Sequence, residues 1–144
     1  MGTNTYFGTS INESPTIVLP AGEEIQEARG IALGIKEGAV VKPEAGTNVI
    51  GISVMETEDT VVQGDDINIQ IKDIGKWVAG EKIVIGTELA TNAEGKAVAA
   101  REGDFIVAVA LSNAIEAGSW VKVQIIKGGY KSAAQVENKT EGGN

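Results

Sequence analysis

Carboxylates are the side chains in this sequence best placed to do chemistry. Asp65, Asp66 and Asp73 form the densest cluster, and Glu56, Glu58 and Asp59 a second one just before it. Oxygen-rich groupings of this kind can hold Ca²⁺ or Mg²⁺, and paired carboxylates can act as general acid and base. Neither pattern is complete. The spaced D-x-D-x-D-G arrangement of a calcium loop is missing, so a solvated turn is the expectation for Asp65–Asp66. No partner base accompanies Glu56, Glu58 and Asp59. Ser10, Ser14 and Ser53 have no His or Lys context that would make a nucleophile of them. The chain has no His and no Cys, which removes the commonest general base, the thiolate nucleophile and the usual zinc ligands. Several Gly-x-Gly spacings occur, but none joins a strand to a helix as a phosphate loop requires. The expectation is a protein that is not an enzyme, with no cofactor and no metal.

The elements that would carry these residues come from the composition. The 144 residues suit one domain. Aromatics are 4% and glycines number 19, so the core must be built from Val, Ile, Ala and Leu, and the chain turns often. A net charge of −8 argues against a nucleic-acid or anionic-membrane surface. No apolar run of about 18 residues is present to span a bilayer, and no secretory leader opens the sequence. A soluble protein made in the cytoplasm is expected, with neither nucleic acid nor membrane as partner.

The stretch AGEEI at 21–25 recurs as AGEKI at 79–83. Further along, EGAVV (37–41) falls over EGKAV (94–98), GTNVIGISV (46–54) over GDFIVAVAL (103–111), and GDDINIQI (64–71) over GSWVKVQI (118–125). Blocks keeping one order and nearly one spacing indicate an internal duplication, 21–73 and 79–127. Both copies read as β structure. In INIQI, Ile67, Ile69 and Ile71 share a face; in WVKVQII, Val121, Val123 and Ile125 do. NVIGISV and FIVAVAL are continuously apolar and should be central strands. KWVAGEKIVIG adds an alternating run, Ile83 and Ile85. Turn signals at 8–15 residue spacing suggest an all-β barrel or sandwich with little helix. Two turns of helix are conceivable over EEIQEARGIALGI, and one each in METEDTVVQ and SNAIEAG.

The domain organisation expected is an extended N-terminal arm (1–19), a β domain (20–127) and a flexible, polar C-terminal tail (128–144). The arm holds Tyr6, Phe7 and Ile11 in a Thr-, Ser- and Asn-rich setting, then TIVL between Pro15 and Pro20. Of the two tryptophans, Trp77 is an expected interface candidate as much as a core residue, and Trp120 is expected at the core edge.

IGISVMETEDTVVQGDDINIQI and VAVALSNAIEAGSWVKVQII, preceded by the Thr-rich arm, resemble the capsid cement or head decoration proteins of tailed bacteriophages. The resemblance covers residues 21–127 and carries no catalytic residue. It implies a compact β-tulip-like barrel or sandwich of two similar halves. It implies a virion protein on the outer surface of an expanded capsid, stabilising the head as a homotrimer in contact with the major capsid protein. In such proteins the N-terminal arm adds a strand to a neighbouring sheet. Here TSINESPTIVL would do so, which makes Tyr6, Phe7, Ile11, Thr16, Ile17 and Val18 the expected capsid contacts. The alternative is a carbohydrate- or cell-surface-binding β module, which calls for a row of exposed aromatics. A biotinyl- or lipoyl-type carrier domain is a third reading. It requires a modifiable Lys at a hairpin tip; Lys72 and Lys76 lie near the junction of the halves, but the usual flanking Met is absent.

Overall fold

The computed structural model describes residues 14–133. Among them every regular element is a strand. In chain order these are β1 (Thr16–Pro20), β2 (Ile25–Gln26), β3 (Ala32–Lys36), β4 (Ala39–Val41), β5 (Gly51–Ser53) and β6 (Thr60–Val61). Then follow β7 (Asp66–Gln70), β8 (Asp73–Val78), β9 (Glu88–Thr91), β10 (Ala97–Ala99), β11 (Phe105–Ala110) and β12 (Trp120–Tyr130).

The strands form two five-stranded antiparallel sheets and a small pair, β2 with β6. The first sheet is ordered β1-β7-β5-β3-β4 and the second β8-β12-β11-β9-β10. These are one topology written twice, because β8 stands where β1 stands, β12 where β7 stands, and so on through the sheet. The small pair has its counterpart too: Ile25 pairs with Val61 in the first half and Ile83 bridges Ala114 in the second.

The recurring AGE segments do the same work in each half. The alanine makes a parallel bridge, Ala21 with Val40 and Ala79 with Ala97. The glycine N–H donates to the bridged carbonyl, Gly22 to Val40 and Gly80 to Ala97, each at 2.7 Å. The glutamate carboxylate then accepts a backbone N–H next to that strand, Glu23 from Lys42 at 3.0 Å and Glu81 from Ala99 at 2.8 Å. Among the described residues these bridges, with their glycine and glutamate hydrogen bonds, join the two ends of each sheet. Of the two expected forms, barrel or sandwich, neither sheet takes the closed barrel, because closure needs a continuous ladder and β4 and β10 are only three residues long. The result is a compact, sandwich-like β structure.

Alternation sets which side chains go inward. Ile67 and Ile69 of β7 and Val121, Val123 and Ile125 of β12 are buried, as a period of two requires. β11 is buried along nearly its whole length, the mark of a central strand covered on both faces. The first half has its own core of Ile25, Ile31, Leu33, Val40, Ile67 and Ile69. The second core draws Ala32, Val49 and Ile52 from the first half, so the halves share apolar contacts and do not fold as separate beads.

Several sequence expectations are corrected. EEIQEARGIALGI holds β2 and all of β3 but its last residue instead of helix; Glu27 (φ 54°) and Gly30 (φ 63°) turn the chain between them. METEDTVVQ makes a hydrogen-bonded turn, Thr57 N–H to the Val54 carbonyl at 3.1 Å, and then β6. SNAIEAG holds the Ala114 bridge instead of helix. Ile83 is buried while Ile85 is 56% exposed, so they do not share an inward face. TIVL is not a free arm: Thr16–Pro20 pairs with β7 along its length, Thr16 with Gln70 through Pro20 with Asp66. At the other end β12 runs to Tyr130, past the expected boundary at 127. The remaining tail, from 134 on, lies outside the described residues.

Candidate functional site

The carboxylates come first. Asp65 and Asp66 face Glu56 and Glu58 across a shallow cavity of about 160 Å³. The Asp65 carboxylate accepts the Val62 N–H at 3.4 Å, closing its own turn. Asp73 lies elsewhere, at the start of β8 opposite Ile125, with φ 71°. Sequence proximity therefore does not make a cluster of the three. Among the described residues no group of three or more acidic side chains is placed to hold a metal ion.

Tyr6, Phe7 and Ile11 lie outside the described residues. Thr16, Ile17 and Val18 lie on β1, at the edge of the first sheet. Their roles divide by alternation. Val18 points out and is 54% exposed, whereas Ile17 packs on the first-half core. One side of β1 is paired with β7; the other is a sheet edge, bridged to β4 just beyond the strand, at Ala21.

The structure separates the two tryptophans: Trp77 takes the core alternative, and Trp120 lies at the core edge, as expected. Trp77 is fully buried, and its indole N–H donates to the Gly95 carbonyl at 2.8 Å. It is a core residue, not a surface anchor, because its register partner on β12 is the inward Val121. Trp120 is the exposed one, at 37%. Its six-membered ring lies against Gly30, so closely that a Cβ there would sit 2.3 Å from Cζ3. In the repeat alignment Trp120 stands at the position of Asp66, which is exposed in the first half.

Around Trp120 a cavity of about 210 Å³ opens between the halves, lined also by Glu27, Arg29, Asp59, Val78 and Lys96. Lys96 and Glu27 form an ion pair at 3.0 Å. The Lys96 ammonium, by hydrogen bond and by charge, holds the Glu27 carboxyl below its ordinary value. Arg29 donates Nε–H to the Thr57 carbonyl at 2.8 Å. One signal for this place was legible in the sequence, the Asp-to-Trp difference between the copies, but not the fold that brings residue 120 to residue 30.

A second unforeseen group is Lys127. β11 and β12 slip register between Ile106 and Ala108, and Lys127 sits in this bulge with φ 48°. Its ammonium reaches across to the first half and donates to the Val49 carbonyl at 2.6 Å. It also stands 5.8 Å from the centre of the Phe105 ring. Burial pushes its pKa below the ordinary lysine value. Lys127 thus ties the halves together with a charge that no carboxylate offsets among the described residues.

No protein-family model matches the chain, and no curated protein matches its sequence. In fold it is similar to the crystal structure of the head fiber gp8.5 N base in bacteriophage phi29, with a TM-score of 0.60 and 20% sequence identity. The match covers 83% of this chain and 98% of that one. The all-β doubled architecture of this chain is therefore a fold that a bacteriophage head protein uses.

Proposed function

We propose that this protein is a structural component of a phage head, which binds the outer surface of the expanded capsid and reinforces it. The observation that carries this reading is the likeness in fold to a head-fiber base over 98% of that chain. The resemblance of the doubled repeat to head decoration proteins points the same way.

The proposed contact is the N-terminal segment. Residues 1–13, with Tyr6, Phe7 and Ile11, precede β1 directly, and β1 is a sheet edge. An extended segment that adds a strand to the major capsid protein gains main-chain hydrogen bonds without needing a pocket. Ordering it costs conformational entropy. A homotrimer engaging three such segments offsets that cost through effective concentration. Val18 extends the contact along the edge, while Ile17 holds β1 to its own core. In this reading the protein acts by binding alone, at the virion surface.

The test is co-sedimentation with expanded, undecorated capsids, using the full chain beside a chain lacking residues 1–13. Saturable binding at a fixed ratio to the capsid subunit, lost on truncation, is the expected result. Failure of the full chain to bind any capsid form overturns the reading. Undiminished binding by the truncated chain keeps the capsid role and removes the segment from the contact.

A further inference from the structure

We propose that the cavity walled by Trp120 binds one neutral hexose-sized sugar unit, stacked on the indole and hydrogen-bonded by the charged groups around it. The inference does not depend on capsid binding.

The argument begins with what the fold does not require. The two halves share a topology, and at the position of Trp120 the first half carries an exposed Asp66. The repeat therefore folds without an aromatic there. Trp120 is nonetheless held in a fixed place: Gly30 (φ 63°) leaves just enough room for its ring edge. More than a third of the residue stays open to solvent. A rigid, amphipathic ring on a cavity wall is a contact surface gained at little entropic cost.

The rest of the wall decides the ligand class. Arg29 and Lys96 contribute two positive charges, Glu27 and Asp59 two negative ones. The sum is zero, so neither a phosphate nor a metal cation is favoured. Arg29 uses only Nε–H on the Thr57 carbonyl, and a guanidinium carries four further N–H donors. The Asp59 carboxylate accepts no hydrogen bond among the described residues. Donors and acceptors thus line the same cavity as the indole, about 210 Å³, room for one sugar ring. A neutral pyranose presents the matching shape, with a C–H face for the indole and hydroxyls for the charged groups. A peptide strand would need a longer groove.

The test uses the full chain and a panel of free glucose, galactose and N-acetylglucosamine, with glucose 6-phosphate as the anionic control. Tryptophan fluorescence reports on the open Trp120 against the constant background of buried Trp77. Saturable change with at least one neutral sugar is expected, with a dissociation constant on the order of a millimolar, suited to so small a ligand. The phosphorylated sugar should bind no better than glucose. Asp59→Asn alters an exposed side chain and keeps Trp120 as reporter; it should weaken binding by roughly tenfold. Trp120→Asp, which installs the first-half residue, should abolish it when followed by sugar NMR line broadening, with the fold checked by circular dichroism. No saturable change with any neutral sugar overturns the proposal. So does undiminished binding in both folded variants, or preference for the anion.

Discussion

Trp77 and Gly95 are joined by a hydrogen bond of 2.8 Å from the indole N–H to the main-chain carbonyl. The same carbonyl also accepts the N–H of Ala32, at 2.7 Å, from the other half of the molecule. One oxygen thus fixes the β8 tryptophan, the β9–β10 turn and β3 together. Trp77→Phe removes one of its two donors and leaves the other. The lost hydrogen bond and the volume vacated by the smaller ring should together cost roughly 2–4 kcal/mol, read as a lowered urea midpoint with unchanged slope. An unchanged midpoint would mean that neither contributes to stability.

Gly95 itself offers a sharper test. It has φ 83°, and an added Cβ would lie 2.7 Å from the Ala32 carbonyl oxygen. Gly38, in the β3–β4 turn, has φ 81° but nothing within 4 Å of that position. Gly38→Ala should cost only the backbone strain, about 1 kcal/mol. Gly95→Ala adds a collision with main chain, so roughly 2–4 kcal/mol is expected. Thermal denaturation of the two variants side by side checks the ranking; equal losses would contradict it.

Glu23 and Glu81 occupy the same station in the two halves and accept N–H bonds of 3.0 and 2.8 Å. Glu23→Ala and Glu81→Ala should each cost about 1 kcal/mol. Because the two carboxylates share no partner and serve different sheets, the double variant should lose the sum. Denaturant unfolding of the three variants measures this.

Lys127 predicts a pH dependence. Burial lowers its folded pKa below the ordinary lysine value of 10.5, so across that interval the unfolded chain binds more protons than the folded one. Stability should therefore rise as pH climbs from the folded pKa toward 10.5. Burial penalises the charged ammonium relative to its state in the unfolded chain. Lys127→Met should remove this alkaline rise. Unfolding measured from pH 7 to 10.5 decides it, and an identical slope in the variant would show that Lys127 is not its source.

The N-terminal boundary can be placed by truncation. A chain lacking residues 1–13 keeps every β1–β7 pair and should unfold at the midpoint of the full chain. A chain lacking residues 1–20 loses the edge strand, the packing of Ile17 and Leu19 on the first-half core, and the cover of Ile67 and Ile69. It should unfold markedly earlier or expose apolar surface to a dye. Equal stability of both truncations would return β1 to the status of an arm.

What the sequence determined by itself was local or repeated. Two-residue alternation placed Ile67, Ile69, Val121, Val123 and Ile125 inward, because side chains of a strand alternate whatever its neighbours. The recurring AGE blocks announced two equivalent halves, since the same short-range needs (a bridge, an N–H to a carbonyl, a carboxylate on a strand end) select the same residues twice. What only the tertiary structure decided was pairing at a distance. TIVL reads alike as a free arm or an edge strand until β7 is set beside it. Asp-Ile-Gly-Lys-Trp-Val has no clear alternation, so the face taken by Trp77 is fixed by its register with Val121. Trp120 and Lys127 acquire their neighbours, Gly30 and Val49, only when one half is laid against the other. The choice between barrel and sandwich was open for the same reason: the strand pattern fixes which face is apolar, but not whether two sheet ends find enough length to pair.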